Sequence, residues 1–145
     1  MPATRILTHT AAPTPSAGSR QPLFTHGIAA AVAASLATTA LALIASAAGV
    51  SFTDRTGASI PIAAFTQLTL VFSLIGVGIA AVLARRARRP KTMFVRIAVT
   101  LTGLSFVPDL TVGFDAGSAA TLIALHSVAA LIVVPTLARR LATAR

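Results

Sequence analysis

Cysteine, tryptophan and tyrosine are absent from this chain of 145 residues, and it has only three acidic residues against twelve basic ones. Without cysteine there is no disulfide bond, thiol nucleophile or cysteine-based zinc or iron–sulfur site. Charged residues make up only 10% of the chain, whereas a soluble domain has about a quarter. The chain therefore has too little charge to cover a water-facing surface.

Long intervals without charge are the most informative positive feature. Three of them carry no charged side chain, and a fourth is broken only by Asp109. Each is long enough for the roughly 20 apolar residues of a helix that crosses a bilayer. The expected spans are residues 27–50, 60–84, 93–113 and 116–138. Because the outer connections are short, consecutive helices lie side by side and antiparallel.

These spans predict an all-α fold, a membrane-embedded antiparallel four-helix bundle in residues 23–141. Residues 1–22 are rich in Pro, Thr, Ser and Ala and have no periodicity, which predicts a disordered tail. Rows of small residues, such as Ala30 with Ala34, Ala33 with Ala37, and Ser73 with Ala80, suit close helix packing. They favour packing within the bundle, and a homo-oligomer is the alternative.

The basic residues predict the orientation. Eleven of the twelve fall in the tail, in the central stretch 85–96 or near the C-terminus, and only Arg55 falls on the other side. The positive-inside rule then places the chain in the inner (plasma) membrane as a multi-pass protein with both termini in the cytoplasm. The net charge of +9 follows from this clustering, so it indicates attraction to anionic lipid headgroups rather than nucleic-acid binding.

Three polar side chains lie within the outer half of the expected spans, at successive depths. Asp109 follows Pro108 near the end of the third span, His126 lies near the middle of the fourth, and Gln67 lies in the second. Ionisable groups inside a membrane normally face the bundle interior and have partners. We therefore expect a polar pocket in the outer half, with Ser105 and Thr69 nearby. The alternatives are structural: an aspartate reaching for water or repairing the proline bend, and a neutral histidine bonded to the backbone.

Several chemistries do not fit these residues. One histidine and one aspartate fall short of the three protein ligands usual at a catalytic metal, and His9, His26 and His126 lie at depths that do not allow a haem to be held between two of them. No metal or other cofactor is expected. Nothing marks an activated serine, and the first span lacks the acidic residue common in small four-helix exporters.

The segments "LSFVPDL" and "TLIALHSVAALIVVPTLARRL" resemble a family of small actinobacterial four-helix membrane proteins, known as a domain of unknown function. The resemblance covers residues 25–141. The matching positions are Ser105, Pro108, His126, Pro135 and Arg139. It implies the four-span architecture and implies no activity.

Two functions remain open. The first is a structural, regulatory or partner-binding role in the cell envelope, without catalysis. The second is an intramembrane acid–base enzyme, such as an isomerase, cyclase or hydrolase, acting on a lipophilic small molecule. In that case Asp109 and His126 are the catalytic pair, which contributes about 10²–10⁴-fold to the rate, and Gln67, Ser105 and Thr69 contact the substrate. A transporter is disfavoured because the inner half of the spans is almost entirely apolar.

Overall fold

The computed structural model describes residues 21–143, which form four α-helices. They are α1 (Gln21–Ala47), α2 (Ile62–Arg86), α3 (Pro90–Thr111) and α4 (Ala116–Thr143). All four are long and apolar enough to cross a membrane, so the predicted all-α bundle of four membrane-length helices is confirmed. The tail predicted for residues 1–22 lies outside the described residues as far as residue 20, and α1 already begins at Gln21, ahead of the expected residue 27.

The helices pack as a ring in which α1 and α4 make most of the contacts. α1 packs extensively on α2 and α4, and α4 packs on α3, whereas α2 and α3 touch much less. The side between α2 and α3 is therefore the least tightly packed of the four. The connections 48–61 and 112–115 meet at one end, which we call the acidic end because it carries Asp54 and Asp115. The other end, formed by residues 85–91 and 136–143, is called the basic end.

Small residues let α1 approach its neighbours closely. Ala31, Ala34 and Ala42 are completely buried, and a Cβ atom on Gly27 would lie 2.7 Å from a methyl group of Val77 and 3.2 Å from one of Leu137. Such contacts bring helix backbones together where lipid gives apolar side chains no reason to associate. Of the predicted alanine rows, Ala30 and Ala34 are buried, whereas Ala33 is exposed.

Two hydrophobic clusters fill the bundle, one towards each end. The cluster at the basic end draws on all four helices and includes Val77, Phe94 and Leu137. The cluster at the acidic end contains Phe52, Phe65 and Leu122 among its buried residues, and no residue of α3 belongs to it. The rings of Phe52 and Phe65 are 5.0 Å apart. The part of α3 towards the acidic end is thus attached to the bundle by contacts other than those of this cluster.

Recognisable signals set the helix ends. At the end of α1, Gly49 has φ 94°, and the Gly49 and Val50 amides donate to the Ser46 and Ala45 carbonyls. This is a Schellman C-cap, for which the left-handed glycine is required. Pro90 occupies the first turn of α3, where its missing N–H has no helical partner to lose.

The outer surface of the helices is apolar. Leu131 is 73% exposed, Leu110 67% and Phe72 66%. Together with the membrane-length helices, this surface identifies a multi-pass membrane protein whose helices contact the lipid bilayer.

Candidate functional site

Asp109 and His126 lie on neighbouring antiparallel helices. In an α-helix each Cα–Cβ bond tilts towards the N-terminus. Because α3 and α4 run in opposite directions, the side chain of Asp109 leans towards the basic end and that of His126 leans towards the acidic end. The two side chains therefore lean towards each other across the axial gap between their Cα atoms. The structure brings His126 Nδ1 to 3.1 Å from Asp109 Oδ2.

The hydrogen on Nδ1 can be located from a second contact. His126 Nδ1 lies 2.9 Å from the Leu122 carbonyl oxygen, one turn earlier in α4. A carbonyl oxygen only accepts hydrogen bonds, so Nδ1 carries the hydrogen and donates it to Leu122. That hydrogen does not point at Asp109. The buried Asp109 Oδ2 lies within ion-pair distance of the imidazole but accepts no hydrogen bond within residues 21–143.

The two members of the pair differ sharply in exposure. The Asp109 side chain is 8% exposed and the His126 side chain 42%. The Phe106 ring stands edge-on to the imidazole, with ring centres 6.4 Å apart. Asp109 Oδ2 is the buried side-chain atom that lacks a hydrogen bond within residues 21–143, so the Nε2 atom of the half-exposed imidazole is accessible from outside the bundle. In the described part of the chain no hydrogen bond engages Nε2.

Asp109 also attaches α3 to the bundle. The buried residues of α3 are Pro90, Phe94 and Asp109, and the first two lie near the basic end. In the half of this helix towards the acidic end, Asp109 is therefore the single fully buried side chain. The contact of Asp109 with His126 joins this half of α3 to α4, together with the half-buried Phe106.

The other predicted site residues do not join the pair through hydrogen bonds. Gln67 is exposed on α2 and makes no hydrogen bond within residues 21–143. The Thr69 hydroxyl lies 3.1 Å from that of Thr38, linking α2 to α1. Ser105 donates to the Thr102 carbonyl in its own helix. The structure thus brings Asp109 and His126 together, leaves Ser105 and Thr69 in other hydrogen bonds, and leaves Gln67 exposed.

A polar network that the sequence analysis overlooked closes the acidic end. Asp115 caps α4 by accepting from the Gly117 and Ser118 amides at 2.9 and 3.1 Å. The completely buried Ser118 donates its hydroxyl to the second Asp115 oxygen at 2.5 Å and accepts from the Phe52 amide at 3.2 Å. An aspartate directly before an apolar run is a recognised N-cap signal, so the sequence could predict this cap. No sequence pattern predicts the hydrogen bond between Ser118 and Phe52.

A short hairpin-like loop joins this network. Thr53 and Ser59 form an antiparallel bridge, and Asp54 accepts from the Thr56 and Ala58 amides and the Thr56 hydroxyl. Phe52 has φ 51°, an uncommon conformation for a bulky residue. It aims the Phe52 ring into the apolar cluster while its amide reaches Ser118.

The carboxyl groups of this end make the fold sensitive to acid. The hydrogen bond from the Ser118 hydroxyl, followed by that from the Ser118 amide, lowers the pKa of Asp115 below its ordinary value of 3.8. A group whose pKa is depressed by folding stabilises the fold above its unfolded pKa, and this stability is lost as the pH falls through the folded pKa. We therefore expect the melting temperature in detergent to decrease once the pH falls below 3.8.

The variant Asp115→Asn tests this expectation, because asparagine still caps the helix but does not titrate. Its melting temperature should depend less on pH in the acid range than that of the parent chain. Asp54 contributes to the same range, since the hydrogen bond from Thr56 also lowers the pKa of Asp54, so some acid sensitivity should remain. An unchanged acid profile in Asp115→Asn would show that its cap does not titrate as described.

The two side chains of the pair can exchange protons and form hydrogen bonds. No group of three His, Cys, Asp or Glu side chains that can hold a metal ion occurs in the described segment 21–143. An imidazole with a carboxylate beside Nδ1 and an accessible Nε2 can bind a polar group or transfer a proton.

Comparison with known proteins gives a family and no activity. A sequence model described as a family of unknown function (DUF6069) matches residues 18–143. No curated protein and no solved structure matches the chain.

Proposed function

This chain belongs to the DUF6069 family of unknown function, and we propose that it has a partner-binding, structural or regulatory role within the plasma membrane. The observation that carries the proposal is the position of His126. Its imidazole is held at Nδ1 beside a buried carboxylate, and 42% of the side chain is exposed on the surface of a membrane-length helix. We propose that a polar group of a membrane partner binds there.

The energetic argument concerns Nε2. A polar group that faces hydrocarbon without a hydrogen-bond partner costs several kcal/mol. The Nε2 atom lacks such a partner within residues 21–143, and the imidazole ring is only partly covered by the protein. A hydroxyl or amide from a second membrane protein, or from a second copy of this chain, would satisfy it. The same contact would then distinguish the correct partner from lipid, which supplies no polar group at that depth.

Photo-crosslinking tests partner binding. A photoreactive amino acid in place of Ala130, one turn beyond His126, should give a discrete protein crosslink in native membranes. The crosslink should disappear when His126→Leu is added. Leu131 is 73% exposed but lies off the His126 face, so a probe there is the matched control and should give lipid adducts only. A crosslink from Ala130 that survives His126→Leu, or none at all, would contradict the proposal.

The orientation with both termini in the cytoplasm belongs to the same proposal. Its support is the charge distribution, since the basic end carries the arginines of 85–89 and 139–140 while the other end carries two aspartates and Arg55. Because the chain has no cysteine, single-cysteine variants report one site each. Thr56→Cys should react with an impermeant maleimide in intact cells, and Thr92→Cys only after permeabilisation. Labelling in the reverse order would place the termini outside.

The second candidate is an intramembrane acid–base enzyme acting on a lipophilic small molecule. One observation favours it: Asp109 Oδ2 lies 3.1 Å from Nδ1, where its negative charge would stabilise the imidazolium formed when Nε2 takes up a proton as a general base. The Leu122 carbonyl would hold the ring through Nδ1, Asp109 would stabilise its charged form, His126 would transfer the proton, and Gln67, Ser105 and Thr69 would contact the substrate.

The variant His126→Gln separates the two candidates. A glutamine still forms hydrogen bonds but does not transfer protons at neutral pH. Under the partner-binding role, His126→Gln should retain much of the crosslink from Ala130 and of the biological activity in a deletion strain, whereas His126→Leu loses both. Under the enzyme role, both variants should lose about 10²–10⁴-fold in rate.

A further inference from the structure

A small depression lies at the opposite end of the molecule from Asp109 and His126. It has a volume of about 230 Å³ and is lined by Thr136, Arg139, Arg140 and Thr143 of α4. Residues at spacings of three, four and seven share one face of a helix, so the four side chains form one stripe. Leu137 and Leu141, on the other side of the same turns, are buried in the bundle.

No acidic side chain lies beside this depression. The chain has three acidic residues, of which Asp54 and Asp115 lie at the acidic end and Asp109 lies beside His126. No aspartate or glutamate side chain therefore neutralises Arg139 or Arg140. Two guanidinium groups on adjacent residues, without an acidic side chain near them, attract an anion.

The hydrogen-bond donors available to an anion are those of the arginines. The Thr136 hydroxyl donates to the Ile132 carbonyl at 2.7 Å, and the Thr143 hydroxyl donates to the Arg140 carbonyl at 3.1 Å. Both hydroxyl hydrogens are thus directed at the helix backbone. The guanidinium group has five N–H donors in a planar fork that matches the oxygens of a phosphate.

The location selects the source of that phosphate. The stripe occupies the last two turns of a membrane-length helix, at the level where a bilayer presents its headgroups. A water molecule occupies about 30 Å³, so a depression of about 230 Å³ has room for a phosphate group and its first attached atoms. We propose that Arg139 and Arg140 bind the phosphate of an anionic lipid headgroup in this depression.

Lipid titration with charge-matched variants tests the site. The purified full-length protein in detergent is titrated with phosphatidylglycerol or phosphatidylcholine, and bound lipids are counted by native mass spectrometry. The variant Arg139→Gln/Arg140→Gln should weaken phosphatidylglycerol binding about tenfold or more. The control Arg85→Gln/Arg86→Gln removes the same charge from the exposed end of α2. It should change the affinity for phosphatidylglycerol about threefold or less, since separate surface charges are screened.

Each remaining outcome has a definite meaning. Equal losses of phosphatidylglycerol affinity in the two double variants, or no loss in either, would overturn the site. Only a diffuse attraction between the basic end and anionic lipids would then remain. Equal affinity of the parent chain for phosphatidylcholine would overturn the preference for an anionic lipid. Inorganic phosphate should not displace phosphatidylglycerol, and displacement at comparable concentrations would assign the site to free phosphate instead. An unchanged melting temperature in the Arg139→Gln/Arg140→Gln variant shows that any loss arises in binding and not in folding.

Discussion

Replacing His126 with leucine is expected to destabilise the protein more than replacing Asp109 with leucine. His126→Leu leaves a carboxylate whose side chain is 8% exposed without its neighbouring imidazole. Breaking a fully buried ion pair from one side costs 3–5 kcal/mol, and we expect about 2 kcal/mol here because the imidazole is half exposed. Asp109→Leu instead removes the buried polar group itself, and the loss should be below about 1 kcal/mol.

The double variant distinguishes a specific pair from two independent sites. Asp109→Leu/His126→Leu should be more stable than His126→Leu alone, because the second substitution removes the carboxylate that the first left unpaired. Free energies of unfolding in mixed detergent micelles, followed by circular dichroism, give the three values. Additive losses in the double variant would show that the two side chains do not interact in the folded protein.

Replacing Gly27 with leucine is the second change with a large expected effect. A Cβ atom there would lie 2.7 and 3.0 Å from the two methyl groups of Val77 and 3.2 Å from Leu137. The new side chain must therefore push α1 away from both α2 and α4. Overpacking of this kind costs about 1–3 kcal/mol, and we expect the upper part of that range because two helices are displaced.

Gly78 provides the matched control, since nothing lies within 4 Å of a Cβ atom there. Gly78→Leu should be neutral or stabilising, because a glycine inside a helix costs about 0.5–1 kcal/mol relative to alanine. Thermal unfolding of the two variants in the same detergent compares them directly. Similar losses in both would mean that α1 does not pack as closely on α2 and α4 as the structure indicates.

The architecture was predictable because charge is so scarce in this chain. Each of the four long intervals became one helix, and several of the basic residues lie in the terminal turns of these helices, as Arg85 and Arg86 do in α2. The ends were harder to place, and α1 begins at Gln21 instead of near residue 27. The composition of a mostly apolar segment does not locate the end of its helix, because adding or removing one turn changes that composition little.

The sequence predicted how far along the bundle each candidate residue lies, but not which side of its helix carries it. Counting residues placed Asp109, Gln67 and His126 at successive depths in one half of the bundle, and the structure brings only Asp109 and His126 into contact. In water, polar and apolar faces of a helix reveal which side is buried. In lipid both faces are apolar, as the exposed Leu110 and Phe72 illustrate. The sequence therefore carried no signal that Gln67 would face outward.

The contact between Ser118 and Phe52 shows a further limit. It joins residues 66 positions apart through a backbone amide, and a backbone amide has no side-chain identity that a sequence pattern can reveal. The positive φ of Phe52 is equally hidden, because such conformations usually belong to glycine or asparagine. The tertiary fold determines both.

Solid-state NMR of the protein in lipid bilayers, with ¹⁵N-labelled histidine and ¹³C-labelled aspartate, tests the proximity of Asp109 and His126 most directly. The 3.1 Å separation of Nδ1 and Oδ2 predicts a through-space correlation between the His126 ring nitrogen and the Asp109 carboxyl carbon, lost in Asp109→Leu. A His126 ring that correlates with lipid acyl chains and with no aspartate carboxyl carbon would contradict the pairing, and with it the site described here.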